Sequence, residues 1–202
     1  DEDHEIALTR FFAVASWSEY GYWVISIAMT GFAVSGVVMV LGRQVFLRHA
    51  RWLLPLLPIA MLAVGGAGWV AATLNAFNPL ELQNPATAEG QLVNIALYYA
   101  ALFPFFFLAG LAVSLNFVVH AGEVGRVYGY DLLGAGTGAV LALLLMFVLH
   151  PFMLVPALLP LLAVAAMVAG GARWRIAALV VLGVTEAAVF GLAAPKVNEF
   201  KA

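Results

Sequence analysis

Glu186, in the stretch Val184-Thr185-Glu186-Ala187, is the acidic side chain set deepest in an apolar run of this 202-residue chain. An ionised carboxyl at the centre of a membrane span costs at least about 2.5 kcal/mol, so it needs a partner, a proton or a ligand. Two chemistries follow: a proton or ligand site at mid-span, or a neutral carboxyl hydrogen-bonded between helices. The second is favoured, with Thr185 and the polar residues Asn94, Tyr98, Tyr99 and Asn116 as expected partners. Pro104, in the run that holds those four, frees the carbonyl of Ala100.

Four histidines invite a haem or metal reading. Two imidazoles that clamp one haem must reach it from the same depth in the membrane. His120 closes the third apolar run and His150 the fourth, so about 27 Å of helix, at 1.5 Å per residue, separates them. They cannot share a haem. His49 and His120 sit beside arginine or glycine and read as interfacial, so neither a metal nor any other cofactor is expected. With no cysteine in the chain, disulfides, thiolate metal sites and Cys nucleophiles are excluded within it.

Gly134, Gly136 and Ala139 match the dinucleotide fingerprint G-x-G-x-x-A, which works only after a strand. Here they head an apolar run, and Gly134 with Gly138 has the G-x-x-x-G spacing that lets helices approach closely in lipid. Gly31, Ser35 and Gly36, and likewise Gly65, Gly66 and Gly68, form similar small-residue faces. Arg126 and Asp131, with Tyr128 and Tyr130 between them, stand at the entry to the same run. An aspartate there suits a helix cap or an interfacial position. No spacing draws Ser, His and Asp, or two carboxylates, into one pocket, and no catalytic residue is assigned.

Composition decides what positions these residues. The chain is 64% hydrophobic and 10% charged, against roughly a quarter charged in a soluble domain, and its apolar runs reach the length that crosses about 30 Å of hydrocarbon. The expected fold is all-α, a polytopic transmembrane bundle with spans at 22–41, 52–74, 92–119, 132–149, 152–169 and 176–194. An interfacial or re-entrant segment over 1–21 precedes them, mixing Phe11, Phe12, Val14 and Trp17 with Arg10, Ser16 and Ser18. A linker over 195–202 follows. The lipid bilayer is therefore a partner. Nucleic acid is not, because the net charge is -2 and no basic cluster is interleaved with aromatics.

Positive residues in short connections stay on the cytoplasmic side. Arg43, Arg48 and Arg51, then Arg126, then Arg173 and Arg175 fall between alternate spans, while 75–91 carries only Glu81 and Glu89. The arginine-bearing connections are expected in the cytoplasm, both termini outside, and the protein in a bacterial inner membrane; Lys196 and Lys201 argue against an outer C-terminus. The connection with Asn78-Pro79 and Asn84-Pro85 reads as a plain surface loop in preference to a lid. The acidic opening Asp1-Glu2-Asp3-His4-Glu5 reverses the charge of a signal peptide and lacks an initiator Met, so a preceding segment is expected.

One set of residues carries a family likeness. The run from Leu102 through Pro104 and Phe105-Phe106-Phe107 to Gly110, followed by Gly125-Arg126-Val127-Tyr128-Gly129-Tyr130-Asp131-Leu132-Leu133-Gly134-Ala135-Gly136, resembles the membrane region of fused, membrane-spanning spermidine synthase-like proteins. So do Glu5 to Phe11 and Ile25 to Gly36, and the tail from Pro195 to Lys201 looks like that family's linker into a soluble domain. The resemblance implies a membrane bundle joined to an aminopropyltransferase-like domain with a class I methyltransferase fold. That domain's nucleoside-binding loop and polyamine-binding acids have no counterpart in these residues, and the family's usual span before the Glu-x-x-Leu-Thr-Arg segment is missing. The expectation is a fragment or a reduced relative. An outer C-terminus would also set an attached domain apart from a cytoplasmic nucleoside donor.

The function expected from these readings is a non-catalytic membrane anchor and assembly domain, with a protein partner or the missing soluble domain supplying any chemistry. Two alternatives stand beside it. One is a transporter-like domain with a mid-span polar site at Glu186 and Thr185; the other is an accessory subunit of a larger membrane complex.

Overall fold

A chain in hydrocarbon must satisfy each backbone N–H and C=O within itself, which leaves uninterrupted helices as the means for these runs to span. The computed structural model describes residues 2–75, 88–149 and 151–199, with side chains described over 21–75, 88–149 and 153–192. Its elements are α1 (Glu2–Leu41), α2 (Arg43–Leu74), α3 (Ala88–Val119), a 3-10 turn (Ala121–Glu123), α4 (Val124–Val148), α5 (Pro151–Gly170) and α6 (Ala172–Glu199). Six of these helices contain stretches long and apolar enough to cross a membrane. The fold is an all-α polytopic bundle.

The helices overrun the apolar runs that mark them. Arg43, Arg48 and Arg51 belong to α2 and Arg126 to α4, because arginine is a good helix former and its long stem lets the charge reach water from a helical position. The connections shrink accordingly, to Gly42 between α1 and α2 and to Gly171 between α5 and α6. Gly171 takes φ of +72°, a left-handed conformation that closes α5 and that side chains beyond glycine resist. At the other end of the chain α1 runs unbroken from Glu2, so 2–21 continues the helix of the first span. The Asn78-Pro79 and Asn84-Pro85 turns and His150 lie outside the described residues.

Contacts fix the relative directions of α1, α2, α3, α5 and α6. On α1 and α3 the numbers rise together: Gly31 faces Phe106, and Ser35 faces Gly110. On α2 and α3 they run oppositely, Gly65 facing Phe105 and Gly68 facing Ala101. α5 is antiparallel to α2, since Pro55 meets Gly170 and Gly65 meets Leu159, and α6 is parallel to it through Trp52 with Trp174 and Gly66 with Thr185. Up-down alternation therefore brings Arg43, Arg48, Arg51, Arg126, Arg173 and Arg175 to one end of the bundle.

Two cores share α2. One joins Ile59 and Leu62 of α2 to Leu159, Ala163 and Ala166 of α5 and Ala178 and Val189 of α6. The other joins Leu57 of α2 to Met39 of α1 and Leu111 and Leu115 of α3. α4 belongs to neither core: none of its residues is buried, and it touches α3 and α5 only lightly.

Candidate functional site

Small residues on α2 let three helices close around it. A β-carbon on Gly66 would collide with Cγ2 of Thr185 on α6, and one on Gly68 with the carbonyl oxygen of Ala101 on α3. On α1, a β-carbon on Gly31 would stand 2.8 Å from Cβ of Phe106, and Gly110 of α3 is closed in by Ser35 Oγ and Phe32. The Ser35 hydroxyl donates to the Phe32 carbonyl at 2.7 Å, so this buried polar group is satisfied by its own helix. Gly36, Gly134 and Gly138 differ. Nothing stands within 4 Å of a β-carbon placed on any of them.

The close crossing at Gly66 buries Thr185 and sets Glu186 at the flank of the α6 face that packs on the bundle. Both carboxyl oxygens of Glu186 are buried and have no hydrogen-bond partner among the described residues. The other polar residues anticipated around it stand on α3, and α2 lies between α3 and α6. Asn94 lends its carbonyl to the Asn75 amide at 2.7 Å and points its own amide at Gln91 Oε1, 3.4 Å away. Asn116 donates to the Ala112 carbonyl at 2.9 Å. Tyr99 meets Trp23 of α1 edge to face at 5.9 Å, and Tyr98 is half-buried beside it on α3. The structure thus sets Thr185 next to Glu186 and directs the amides of Asn94 and Asn116 elsewhere.

A second polar locus lies at the arginine end, where α3 turns into α4. A pocket of about 460 Å³ has an apolar wall of Val113, Phe117 and Val127 and a polar rim that joins Asn116 and His120 to Glu123, Arg126, Tyr130 and Asp131. Arg126 donates to Glu123 Oε2 at 2.9 Å, both side chains being largely exposed. His120 Nδ1 lies 3.1 Å from the Asn116 carbonyl, which can only accept, so that nitrogen is the donor. Asp131 stands inside α4 and not at its start, because the helix begins at Val124. The spacing from Asn116 to His120, and from Glu123 through Val127 to Tyr130 and Asp131, is that of single helix faces. Read as faces, those intervals carry the signal that groups His120, Glu123 and Tyr130 with Arg126 and Asp131.

Chemically, the pocket can cradle a polar group at the membrane edge, since it offers one paired cation, two carboxylates and an imidazole. His49 is far simpler: its Nδ1 bonds the Val45 carbonyl of its own helix at 2.9 Å. Among the described residues no three of His, Asp and Glu converge as a metal site, and no catalytic set comes together. Comparison of the chain with protein-family models, with curated proteins and with solved structures gives no match.

Proposed function

We propose that this polytopic membrane domain anchors and assembles a spermidine synthase-like protein, with chemistry carried by a soluble domain or partner and not by these helices. The observation that carries this reading is α4. It holds the Gly125 to Gly136 part of the family likeness, yet among the described residues it is the one spanning helix with no buried residue. Exposed leucine and valine are at ease against lipid tails, which are as apolar as they are. Exposed Gly134 and Gly138 gain nothing there, and their use is the close approach of another helix. In the same reading the arginine end faces the cytoplasm of a bacterial cell.

The test is expression of the helical domain with and without a synthase-like domain, followed by reconstitution into vesicles. Anchoring predicts that the helices alone carry no turnover and no substrate-specific flux. Flux through the isolated helices would overturn it.

Glu186 favours a second reading, a transporter-like domain. Two buried carboxyl oxygens without a partner among the described residues are what a mid-span proton or cation site would show between loads. Proton-coupled flux that Glu186→Gln abolishes would establish this reading, and equal flux or none in parent and variant would remove it.

A further inference from the structure

At the arginine end, the corner between α5 and α6 closes against α2 around a pocket of about 270 Å³ lined by Arg51, Trp52, Ala169, Gly170, Arg173 and Trp174. Glycine shapes it. A β-carbon on Gly170 would collide with the Trp174 ring and would stand 2.6 Å from Cβ of Pro55, so only a bare backbone lets α5 end against α2 with the indole folded over it. Trp174 then meets Trp52 edge to face, with centroids 6.1 Å apart.

Two guanidinium groups converge on the same ring. The Arg173 guanidinium carbon lies 5.5 Å from the Trp52 ring centroid and that of Arg51 lies 6.0 Å away. An indole ring attracts a cation, but two like charges drawn to one ring also repel each other, and an anion held between them relieves that repulsion. Among the described residues no acidic side chain pairs with either arginine: the single ion pair there is the remote one between Arg126 and Glu123, and the first turn of α6 has no acidic residue. Guanidinium forks match the oxygen spacing of a phosphate.

The level of the pocket identifies the source of that phosphate. Indoles prefer the headgroup layer, and Trp52 is 48% exposed. The turns of α2, α5 and α6 that lead from the pocket into the span expose Leu56, Val168 and Ile176, an apolar surface suited to acyl chains. From this geometry we infer that the α2–α5–α6 corner is a binding site for the phosphate headgroup of an anionic phospholipid. Arg51 and Arg173 clamp the phosphate, and Trp52 and Trp174 hold its glycerol level.

The whole chain, purified in a mild neutral detergent, is titrated with phosphatidylglycerol, with phosphatidylcholine and with inorganic phosphate, and bound adducts are counted by native mass spectrometry. The parent should keep phosphatidylglycerol at lipid levels where phosphatidylcholine is lost. The double variant R51Q/R173Q should weaken that binding roughly thirty-fold, the effect of removing two arginines near a charged surface. The double variant R43Q/R48Q, of equal net charge and at the same end of the bundle, should bind as the parent does. Equal weakening in both double variants would mean that binding follows overall charge, and would overturn the site. Displacement of the lipid by millimolar inorganic phosphate would overturn the lipid as its occupant. Should R51Q/R173Q not fold, R173Q alone, whose side chain is exposed, should still weaken phosphatidylglycerol binding about five-fold. No weakening in that variant would equally refute the pocket.

Discussion

Gly66 of α2 and Thr185 of α6 meet so closely that no side-chain atom fits between them at the crossing of the two helices. A methyl group added at Gly66 would strike the Thr185 methyl. Threonine is branched at Cβ and cannot swing that methyl aside without leaving its rotamer. Gly66→Ala should therefore destabilise the bundle by about 1–3 kcal/mol, read as a lower midpoint of thermal unfolding by circular dichroism in detergent. Thr185→Ser, which deletes the struck methyl and keeps the hydroxyl, should restore most of the loss when combined with Gly66→Ala. A double variant as unstable as Gly66→Ala alone would show that the contact is not the cause.

Glycines that look alike in sequence should behave oppositely. Gly110 is closed in by Ser35 and by Phe32 of α1, whereas Gly134 and Gly138 of α4 have open space around them. Gly110→Val should lower the unfolding midpoint, because its side chain has nowhere to go. Gly134→Val with Gly138→Val should change the stability of the isolated chain by no more than about 1 kcal/mol. If α4 is the assembling helix, the same pair of substitutions should reduce association measured by energy transfer between labelled chains or by retention of a copurifying partner. Full association with both valines in place would count against that role for α4.

Glu186 offers a test of energetics apart from transport. Its two carboxyl oxygens are buried without partners among the described residues, and an unsatisfied buried polar group costs about 1–3 kcal/mol. Leucine has a similar reach and needs no partner, so Glu186→Leu should raise the unfolding midpoint by several degrees. A lowered midpoint would reveal that the carboxyl is held by bonds the folded chain relies on.

How far sequence could lead differs from residue to residue. Spans were legible because hydrocarbon thickness imposes a length and a composition on each, and neither depends on neighbours. Partner choice was not, since a helix that is apolar on every side has no polar stripe to mark its packed face by contrast. That is why Gly31 and Gly134 could be recognised alike as small-residue sites although one faces Phe106 and the other faces nothing within 4 Å. The same limit applies to Glu186: its need for a partner can be read from the cost of burial, but α2 standing between α6 and the amides of α3 is a fact of assembly. The arginine corner is hidden in the sequence for another reason. Arg51 and Arg173 are more than a hundred residues apart in the chain, and only the pairing of α2 with α6 brings them to the same indole.

Sidedness can be measured directly because the chain has no cysteine, so a single introduced thiol is the only one to label. Up-down alternation brings Arg48 and Arg175 to one end and Glu89 to the other, and the proposed orientation, which follows the positive-inside bias, sets the arginine end in the cytoplasm. In intact cells, Glu89→Cys should react with a membrane-impermeant maleimide, while Arg48→Cys and Arg175→Cys should react only after the membrane is opened. Each replaced arginine is exposed, so the substitutions should leave the fold intact. One removed charge among the six at that end should not reverse the bundle either. Labelling of Arg48→Cys from outside would invert the whole arrangement, since α2 cannot turn over without carrying with it the helices packed on both its faces.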